Sequence, residues 1–557
     1  MKEKRNIFIC LLFLSIFWVY IWGLCANPFH VSCFSYAGSG DHIQHYLGWI
    51  TYAKDTKLDL FSRTFNGWTW PINSKILYFD SIPLLSIIFK PILNFIGFNF
   101  QYFSLASLAN LFATYYCGLL IGKYFKLKIG LSSLLGIILA ISPIALIRLI
   151  GHESLSLHFF IIYPITLLLT RSVNKWKWNF LIFFSLGIHA YFFPIILLLK
   201  VSSFIYQFRN STLIIHKLLL SLLKDIFITS SFILFGLFAF GYMGNSIYLN
   251  KNEPIWSANL LSLIDPGDFS LIFNRLDIIR PYQWEGYSYL GLLFFILLII
   301  SFVLRIHKKD HDIFIFPEKS FYIFILFLFF FYALGSPIYL GKTVVVNKSI
   351  LMFDGSFMNA FRSTGRFMWP IYYSLIIWSY ISVATRINSN IKLKNIFIYS
   401  VLFLMMENYF LVFGTVRNII NNHYISGQSF QKEINSNLIA KLLKETKYFI
   451  NATGRPFYLS PSIPPLMPQA VNNNIMTNYY PRLARDNTEF MNFYSQGSCQ
   501  ILSNIFKKEE EDLIASSLIL MDNEKINTCN NYNFEKQQQL PNENISIFSL
   551  TRKYKLD

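Results

Sequence analysis

Between residues 6 and 413 the chain alternates long apolar runs with short basic clusters, a pattern that predicts a series of membrane spans. Residues 6–25 form the first run, preceded by Lys2, Lys4 and Arg5. It reads as a first span with a cytoplasmic N-terminus rather than a cleaved leader, because about 20 apolar residues exceed a leader's apolar region and many more spans follow. Further spans are predicted near 100–122, 129–147, 155–170, 219–241, 288–304, 320–340, 367–384 and 395–413. Residues 178–208 are too long for one span, and Pro194 predicts a break, giving two short spans that meet at the outer side. The total is eleven.

The positive charges fit this order. Lys123, Lys126 and Lys128; Arg171, Lys175 and Lys177; Arg209 and Lys217; Arg305, Lys308 and Lys309; and Arg386, Lys392 and Lys394 all fall on one side of the alternation, as cytoplasmic loops require. The long polar segments 26–99, 242–287, 341–366 and the tail from 415 then share the extracytoplasmic face. The tail mixes charges and carries strand-like pieces at 457–460, 517–521 and 545–550 with a helical piece at 429–446. The expected fold is therefore mostly α: a polytopic transmembrane helical bundle over 1–414, followed by a small extracytoplasmic α/β domain over 415–557.

Composition agrees with a bilayer as the solvent. Of 557 residues, 54% are hydrophobic and only 14% charged, against about a quarter charged in soluble domains. The net charge of +18 does not point to nucleic acid, since the basic residues sit in short clusters between apolar runs with no base-reading element. Cys10 and Cys117 lie inside predicted spans, whereas Cys25, Cys33, Cys499 and Cys529 fall on the outer side, where disulfides persist. Cys499 is expected to pair with Cys529, and Cys25 with Cys33. No Cys or His spacing suits zinc, so neither metal nor cofactor is expected; a divalent ion has no support in the spacing.

The first outer loop carries GSGDHIQHYLGW, where Asp41 opens a predicted helix and shares a face with His45 and Trp49 at a four-residue spacing. Two readings follow: a carboxylate and an imidazole facing one space, or a capping Asp with aromatics at the headgroup level. Asp80, in YFDSIPLL, reads as the N-cap of an amphipathic segment 82–97 interrupted at Lys90-Pro91. RLIGHESLSLH gathers Arg148, His152, Glu153 and His158 at the outer membrane edge, where water access would host charges cheaply. FRSTGRFMWP places Arg362 and Arg366 four residues apart; two guanidiniums on one face suit a phosphate or pyrophosphate group. Gln283, Glu285 and Tyr287 in PYQWEGYSYLGL, and His189 with Tyr191, are weaker outward-facing candidates. Glu407 lies inside the last span with no partner that the sequence names, and reads as a buried contact between helices.

These stretches, with DHIQHYLGW, DSIPL and TNYYPRLARDN among them, resemble over nearly the whole chain a bacterial family of membrane proteins of unassigned function. That family in turn looks like the GT-C glycosyltransferases, which use polyprenyl-phosphate-linked sugars. The resemblance implies a sugar transferred on the extracytoplasmic face of the bacterial inner membrane to an envelope glycan, lipid or protein. Asp41 would stand where GT-C enzymes carry their first-loop carboxylate, with His45 and His152 beside the chemistry. Asp80, Arg148, Glu153, Glu285, Arg362 and Arg366 would bind substrate. Asp80 departs from the neighbouring-acid arrangement of that superfamily, which argues against a metal ligand there. A flippase of lipid-linked saccharide and a non-catalytic subunit of polysaccharide assembly are the competing readings.

Overall fold

The structure is a computed structural model that describes residues 2–35, 41–54, 64–65, 74–96, 100–172, 174–209, 215–243, 256–279, 283–308, 319–347, 361, 363–435, 446–451, 476–477, 501–502, 517–524, 529, 532–539 and 545–552. The helices that organise it are, in chain order, α1 (Lys2–Trp22), α2 (Asp41–Lys54), α3 (Pro83–Ile96), α4 (Phe103–Tyr124), α5 (Ile129–Ala140), α6 (Phe159–Leu169), α7 (Lys175–Ile188), α8 (Phe192–Arg209), α9 (Ile215–Ala239), α10 (Leu292–Lys308), α11 (Lys319–Leu334), α12 (Trp369–Ile387) and α13 (Ile391–Asn435). The protein is mostly helical. Among the described residues, seven helical stretches are long and apolar enough to cross a membrane: Glu3–Ala26, Phe103–Tyr124, Ile129–Leu149, Phe192–Arg209, Leu219–Ala239, Thr364–Ile387 and Ile391–Ser426. Their bare apolar side chains, such as Phe227 on α9 and Phe403 on α13, are the surface expected of helices solvated by lipid.

The chain divides into two compact units. One comprises Met1–Ala26, Phe103–Gly236 and Lys251–Ile419; the other comprises Asn27–Tyr102, Leu237–Asn250 and Ile420–Asp557. A single cut at 414/415 is therefore not how the chain divides. Helix α13 runs unbroken through that point, and the expected helical piece at 429–446 begins as its continuation.

In the helical unit, α4 and α5 form an antiparallel pair whose contact is built from small residues. A Cβ added to Gly118 would stand 2.3 Å from the Gly136 Cα, and one added to Gly122 would stand 2.4 Å from the Ser132 Cβ. Small residues at a four-residue spacing let two backbones close up where apolar lipid offers no hydrophobic drive for association. The break in 178–208 comes at His189–Tyr191, between α7 and α8. Pro194 is not the break: it sits in the first turn of α8, where its missing N–H costs no helical bond.

The second unit contains the short hairpin β1 (Thr64–Phe65) with β2 (Ser74–Lys75) and a mixed sheet. β3 (Ile338–Leu340) and β4 (Thr343–Val346) form a separate hairpin in the helical unit. The mixed sheet uses β5 (Tyr448–Asn451), β6 (Met476–Thr477), β7 (Ser517–Asp522), β8 (Tyr532–Gln539) and β9 (Ile545–Arg552) in the order β6-β5-β7-β9-β8. β5 runs parallel to β6 and β7, while β9 is antiparallel to β7 and β8. Register partners Ile450, Ile519 and Phe548 are buried on one face, and Phe449 with its partner Leu518 on the other. The strand-like pieces at 517–521 and 545–550 fall on β7 and β9; that at 457–460 lies outside the described residues.

Also in this unit, α2 packs on the turn before α3. A Cβ on Gly48 would stand 2.5 Å from the Phe79 Cβ, and Ser81 Oγ donates to the His45 carbonyl at 2.6 Å. The helix α3 continues through Lys90-Pro91 instead of stopping there.

Candidate functional site

Three short 3-10 turns in the helical unit bring together side chains that lie far apart in sequence. Arg148 sits in Ile147–Leu149, after α5; Glu285 in Trp284–Gly286; and Arg366 in Thr364–Met368, at the entry to α12. Two glycines permit the meeting. A Cβ on Gly365 would stand 2.7 Å from the Gly286 Cα, and one on Gly286 would stand 2.5 Å from the Ala258 Cα, so neither position accepts a side chain without moving backbone. Gly365 N–H also donates to the Trp256 carbonyl at 3.0 Å, fixing the turn against the preceding loop.

Glu285 is the hub. Arg366 donates through Nε to Oε2 at 2.8 Å and through Nη2 to Oε1 at 3.1 Å, a paired contact that only a planar guanidinium provides. Arg148 donates from Nη1 to Oε2 at 2.9 Å and from Nη2 to the Glu285 carbonyl at 3.1 Å. Aromatic faces cover the cations: the Arg148 Cζ lies 4.6 Å from the Trp284 ring centre and 5.4 Å from that of Trp369, and the Arg366 Cζ lies 4.5 Å from that of Tyr191. Burial alone would raise the Glu285 pKa. The guanidiniums of Arg148 and Arg366 outweigh it and hold the carboxyl well below the usual carboxylate range.

His152 forms the open edge of this cluster. Its Nε2 is 3.7 Å from Glu285 Oε1, its ring stacks on Trp284, and its side chain is 18% exposed where that of Arg148 is 2%. Of the polar residues in 148–158, only His152 keeps the expected water access. Glu153 is buried in the next 3-10 turn, its carbonyl accepting from Ser156 Oγ at 2.7 Å. His158 is buried against Trp369, its Nδ1 2.7 Å from the Tyr373 hydroxyl.

Glu407, which the sequence left without a partner, accepts from the Ser270 hydroxyl, from the Tyr289 hydroxyl at 3.0 Å and from the Leu292 N–H at 3.1 Å. It holds the loop before α10 and caps that helix's first turn. A second ion pair escaped sequence reading altogether. Lys200 on α8 donates to Asn179 Oδ1 on α7 at 2.8 Å and also meets Thr229 Oγ1 and, at 3.4 Å, Asp225 Oδ1 on α9. Its signal was a lone Lys and a lone Asp inside apolar runs.

The remaining candidates lie in the second unit or outside the described residues. Asp41 is the first residue of α2, whose polar face turns inward: His45 and Trp49 are both fully buried. Trp49 is packed inside the protein, its Nε1–H donating to the Phe100 carbonyl at 2.8 Å. His42, which the sequence did not single out, meets His423 of α13 edge to face with ring centres 4.8 Å apart. Asp80 is not an N-cap. It closes the 3-10 turn Ile76–Phe79 in the left-handed conformation, φ +50°, which a short polar side chain tolerates better than most. Arg362 and Cys499 lie outside the described residues, as does all of TNYYPRLARDN beyond Thr477. Cys25, Cys33 and Cys529 are each disulfide-bonded, and Cys10 and Cys117 are free thiols. Among the described residues no group of three or more His, Cys, Asp or Glu could hold a metal ion.

No curated protein matches the chain. A family model does, over residues 10–406, a stretch that holds every residue of the arginine–glutamate cluster and of the Lys200 network. The chain belongs to the family that this model defines, a domain of unknown function designated DUF6311.

Proposed function

We propose that this protein is a membrane-embedded glycosyltransferase, moving a sugar from a polyprenyl-phosphate donor to an envelope glycan, lipid or protein on the extracytoplasmic face of the bacterial inner membrane. The observation that carries the reading is the cluster of Arg148, Glu285 and Arg366 with His152 at its open edge. Two guanidiniums around one ionised carboxylate create a positive field, and low surrounding dielectric keeps that field strong for a phosphate oxygen arriving at the edge. Transfer from such a donor needs stabilisation of the phosphate that leaves, not an acid to protonate it. It also needs a base for the acceptor hydroxyl. Asp41 is assigned that role, because the start of α2 fixes its backbone in the outer loop.

The proposed topology has eleven crossings, the shorter helices α6, α7, α10 and α11 completing the seven long ones. It is supported by the make-up of the second unit, in which segments 27–102, 237–250 and 420–557 come together; all three belong to, or overlap, the loops and tail assigned outside. Reporter fusions after residues 60, 270, 355 and 450 are expected outside, and those after 125, 175, 310 and 390 in the cytoplasm.

The test of the chemistry is sugar transfer by membranes carrying equal amounts of wild-type and Asp41→Asn protein. Asn still caps a helix, so folding is expected to survive while transfer falls by about 10²- to 10⁴-fold. More than about a tenth of the activity retained would contradict the general-base role. A second reading, a flippase for lipid-linked saccharide, is favoured by the Lys200–Asp225 contact inside the apolar helices, where ionisable groups mark transport paths. Movement of a lipid-linked sugar across proteoliposomes without transfer to any acceptor would decide for it.

A further inference from the structure

Beside the arginine cluster, in the same unit, lies a pocket that opens to solvent, about 460 Å³ with its open mouth included. Trp284 is one of its walls and Phe269 another. The Trp284 ring is also the one that lies against Arg148, so the pocket and the cluster share one indole. Two buried polar atoms at this pocket have no hydrogen-bond partner: Gln283 Nε2 and the Tyr287 hydroxyl. Gln283 is 2% exposed, and its orientation is fixed by its other end. Its Oε1 accepts from Asn259 Nδ2 at 2.7 Å and from the Ile279 backbone N–H at 3.2 Å, which leaves Nε2 as the unbonded donor. Asp265 closes the loop by accepting from the N–H groups of Gly267 and Leu276, while Asp268 carries an exposed carboxylate at the mouth, 3.5 Å from the equally exposed Arg275 guanidinium.

Leaving a buried donor unbonded costs about 1–3 kcal/mol, a cost that a ligand relieves. The donor and acceptor types choose that ligand. A metal cation is refused by an amide N–H and gains nothing from it. An anion is refused by the two carboxylates. A hydrocarbon would leave both orphaned atoms unbonded. A ring bearing several hydroxyls satisfies all of them: its oxygens accept from Gln283 Nε2 and exchange bonds with Tyr287, a hydroxyl donates to Asp268, and its C–H face lies on Trp284 or Phe269. Burial, with the nearby Tyr372 phenol and then the Asp265 and Glu407 carboxylates, pushes the Tyr287 phenol well above its usual value, so it is a neutral hydroxyl at any physiological pH.

We propose that this pocket, walled by Phe269 and Trp284 and armed by Gln283, Tyr287 and Asp268, binds one neutral saccharide unit. It deepens the glycosyltransferase reading by giving the transferred sugar a seat one indole away from the phosphate-binding edge, and it rests on that reading only for the sugar's being a substrate.

The experiment uses full-length protein in nanodiscs and a panel of methyl glycosides of neutral hexoses, N-acetylhexosamines and 6-deoxyhexoses, read by saturation-transfer NMR. At least one glycoside is expected to bind the wild type. Tyr287→Phe and Gln283→Glu are each expected to weaken it by about three- to tenfold, and Asp268→Asn, at an exposed position that does not touch folding, by a smaller factor. The signature that a structural role would not give comes from Tyr287→Phe. Deleting an unbonded buried hydroxyl is expected to leave the unfolding temperature unchanged or raised while binding falls. No glycoside bound, or equal binding in the three variants, overturns the proposal, and so does a marked loss of stability in Tyr287→Phe. Glycoside binding without any sugar transfer in the membrane assay overturns the transferase reading alone; transfer without binding at this pocket overturns this proposal alone.

Discussion

Among the described residues the helical unit contains two buried ion clusters, and they are built in opposite ways. The Arg148–Glu285–Arg366 cluster is assembled from three turns at the ends of helices, with paired guanidinium contacts and aromatic faces around it. The Lys200 cluster is assembled from the flanks of three helices, and its ammonium approaches the neutral oxygens of Asn179 and Thr229 more closely than the Asp225 carboxylate. The difference is one of charge shape. A guanidinium spreads its charge over a rigid fork and loses little in giving up water, whereas an ammonium is a strongly hydrated point that needs several oxygens to replace its shell. A cluster at helix ends can recruit backbone groups, as Arg148 does with the Glu285 carbonyl. One inside helices has only side chains to offer, because the carbonyls there are already bonded.

Breaking the first cluster is expected to have the largest effect. Glu285→Gln keeps the shape of the hub and leaves two guanidiniums facing each other in a buried site. Removing one member of a buried, hydrogen-bonded charge set costs about 3–5 kcal/mol, and a purified variant in detergent is expected to unfold at a correspondingly lower temperature. A loss below about 1 kcal/mol would mean that water reaches the cluster far more freely than a 2% exposed Arg148 side chain implies.

The second cluster is expected to be cheaper to break and able to recover. Lys200→Met strands Asp225 and Thr229 beside an apolar side chain, a loss of about 1–3 kcal/mol. Lys200→Met with Asp225→Asn removes both charges, and most of the stability is expected to return, since a buried pair replaced by matched neutral groups is often no less stable. Thermal unfolding of the single and double variants checks this. A stable double variant that has lost function would move the Lys200 network from architecture to mechanism and favour the flippase reading.

These two clusters also mark how far the sequence could be read. Seven of the expected spans could be placed because a run of about 20 apolar residues matches the bilayer's thickness and is seldom needed in a water-soluble core, as at Leu219–Ala239. Glu285, Arg148 and Arg366 each stood out as charges at the margins of apolar runs. Their meeting did not, because it depends on Gly286 and Gly365 letting turns from different parts of the chain touch, and no local pattern encodes that contact. Lys200 and Asp225 were hidden differently: each lies within a run whose average hydropathy masks its charges, and only helix rotation decides that they face each other. Asp80 was misassigned because Ser81 and Pro83 after it look like a helix start; Pro83 does open α3, but Asp80 closes the 3-10 turn before it. The pocket beside Trp284 was half legible, its Gln283 and Tyr287 visible as polar residues in an aromatic segment and their unbonded state visible only in three dimensions.

The smallest effect expected sharpens the comparison by its sign. Glu285 is held below the usual carboxylate range in the folded protein, against an ordinary value of 4.5. A depressed carboxyl contributes stability that is fully present above the unfolded value and is lost as pH falls through the folded one. Between pH 8 and pH 5 the carboxyl therefore stays ionised in both states, and its contribution is expected to be flat. Below about pH 4.5 the unfolded chain begins to bind a proton that the folded chain refuses, and stability falls by at most about 1.4 kcal/mol per pH unit for this one group. The measurement is the unfolding free energy of wild type minus that of Glu285→Gln, both carrying His152→Gln so that the imidazole 3.7 Å away does not titrate in either. A difference constant from pH 8 to pH 5 and shrinking below pH 4.5 is the expected result. A change of more than about 0.5 kcal/mol within pH 8 to 5 would mean that Glu285 takes up a proton there, which two guanidiniums at 2.8–2.9 Å should prevent.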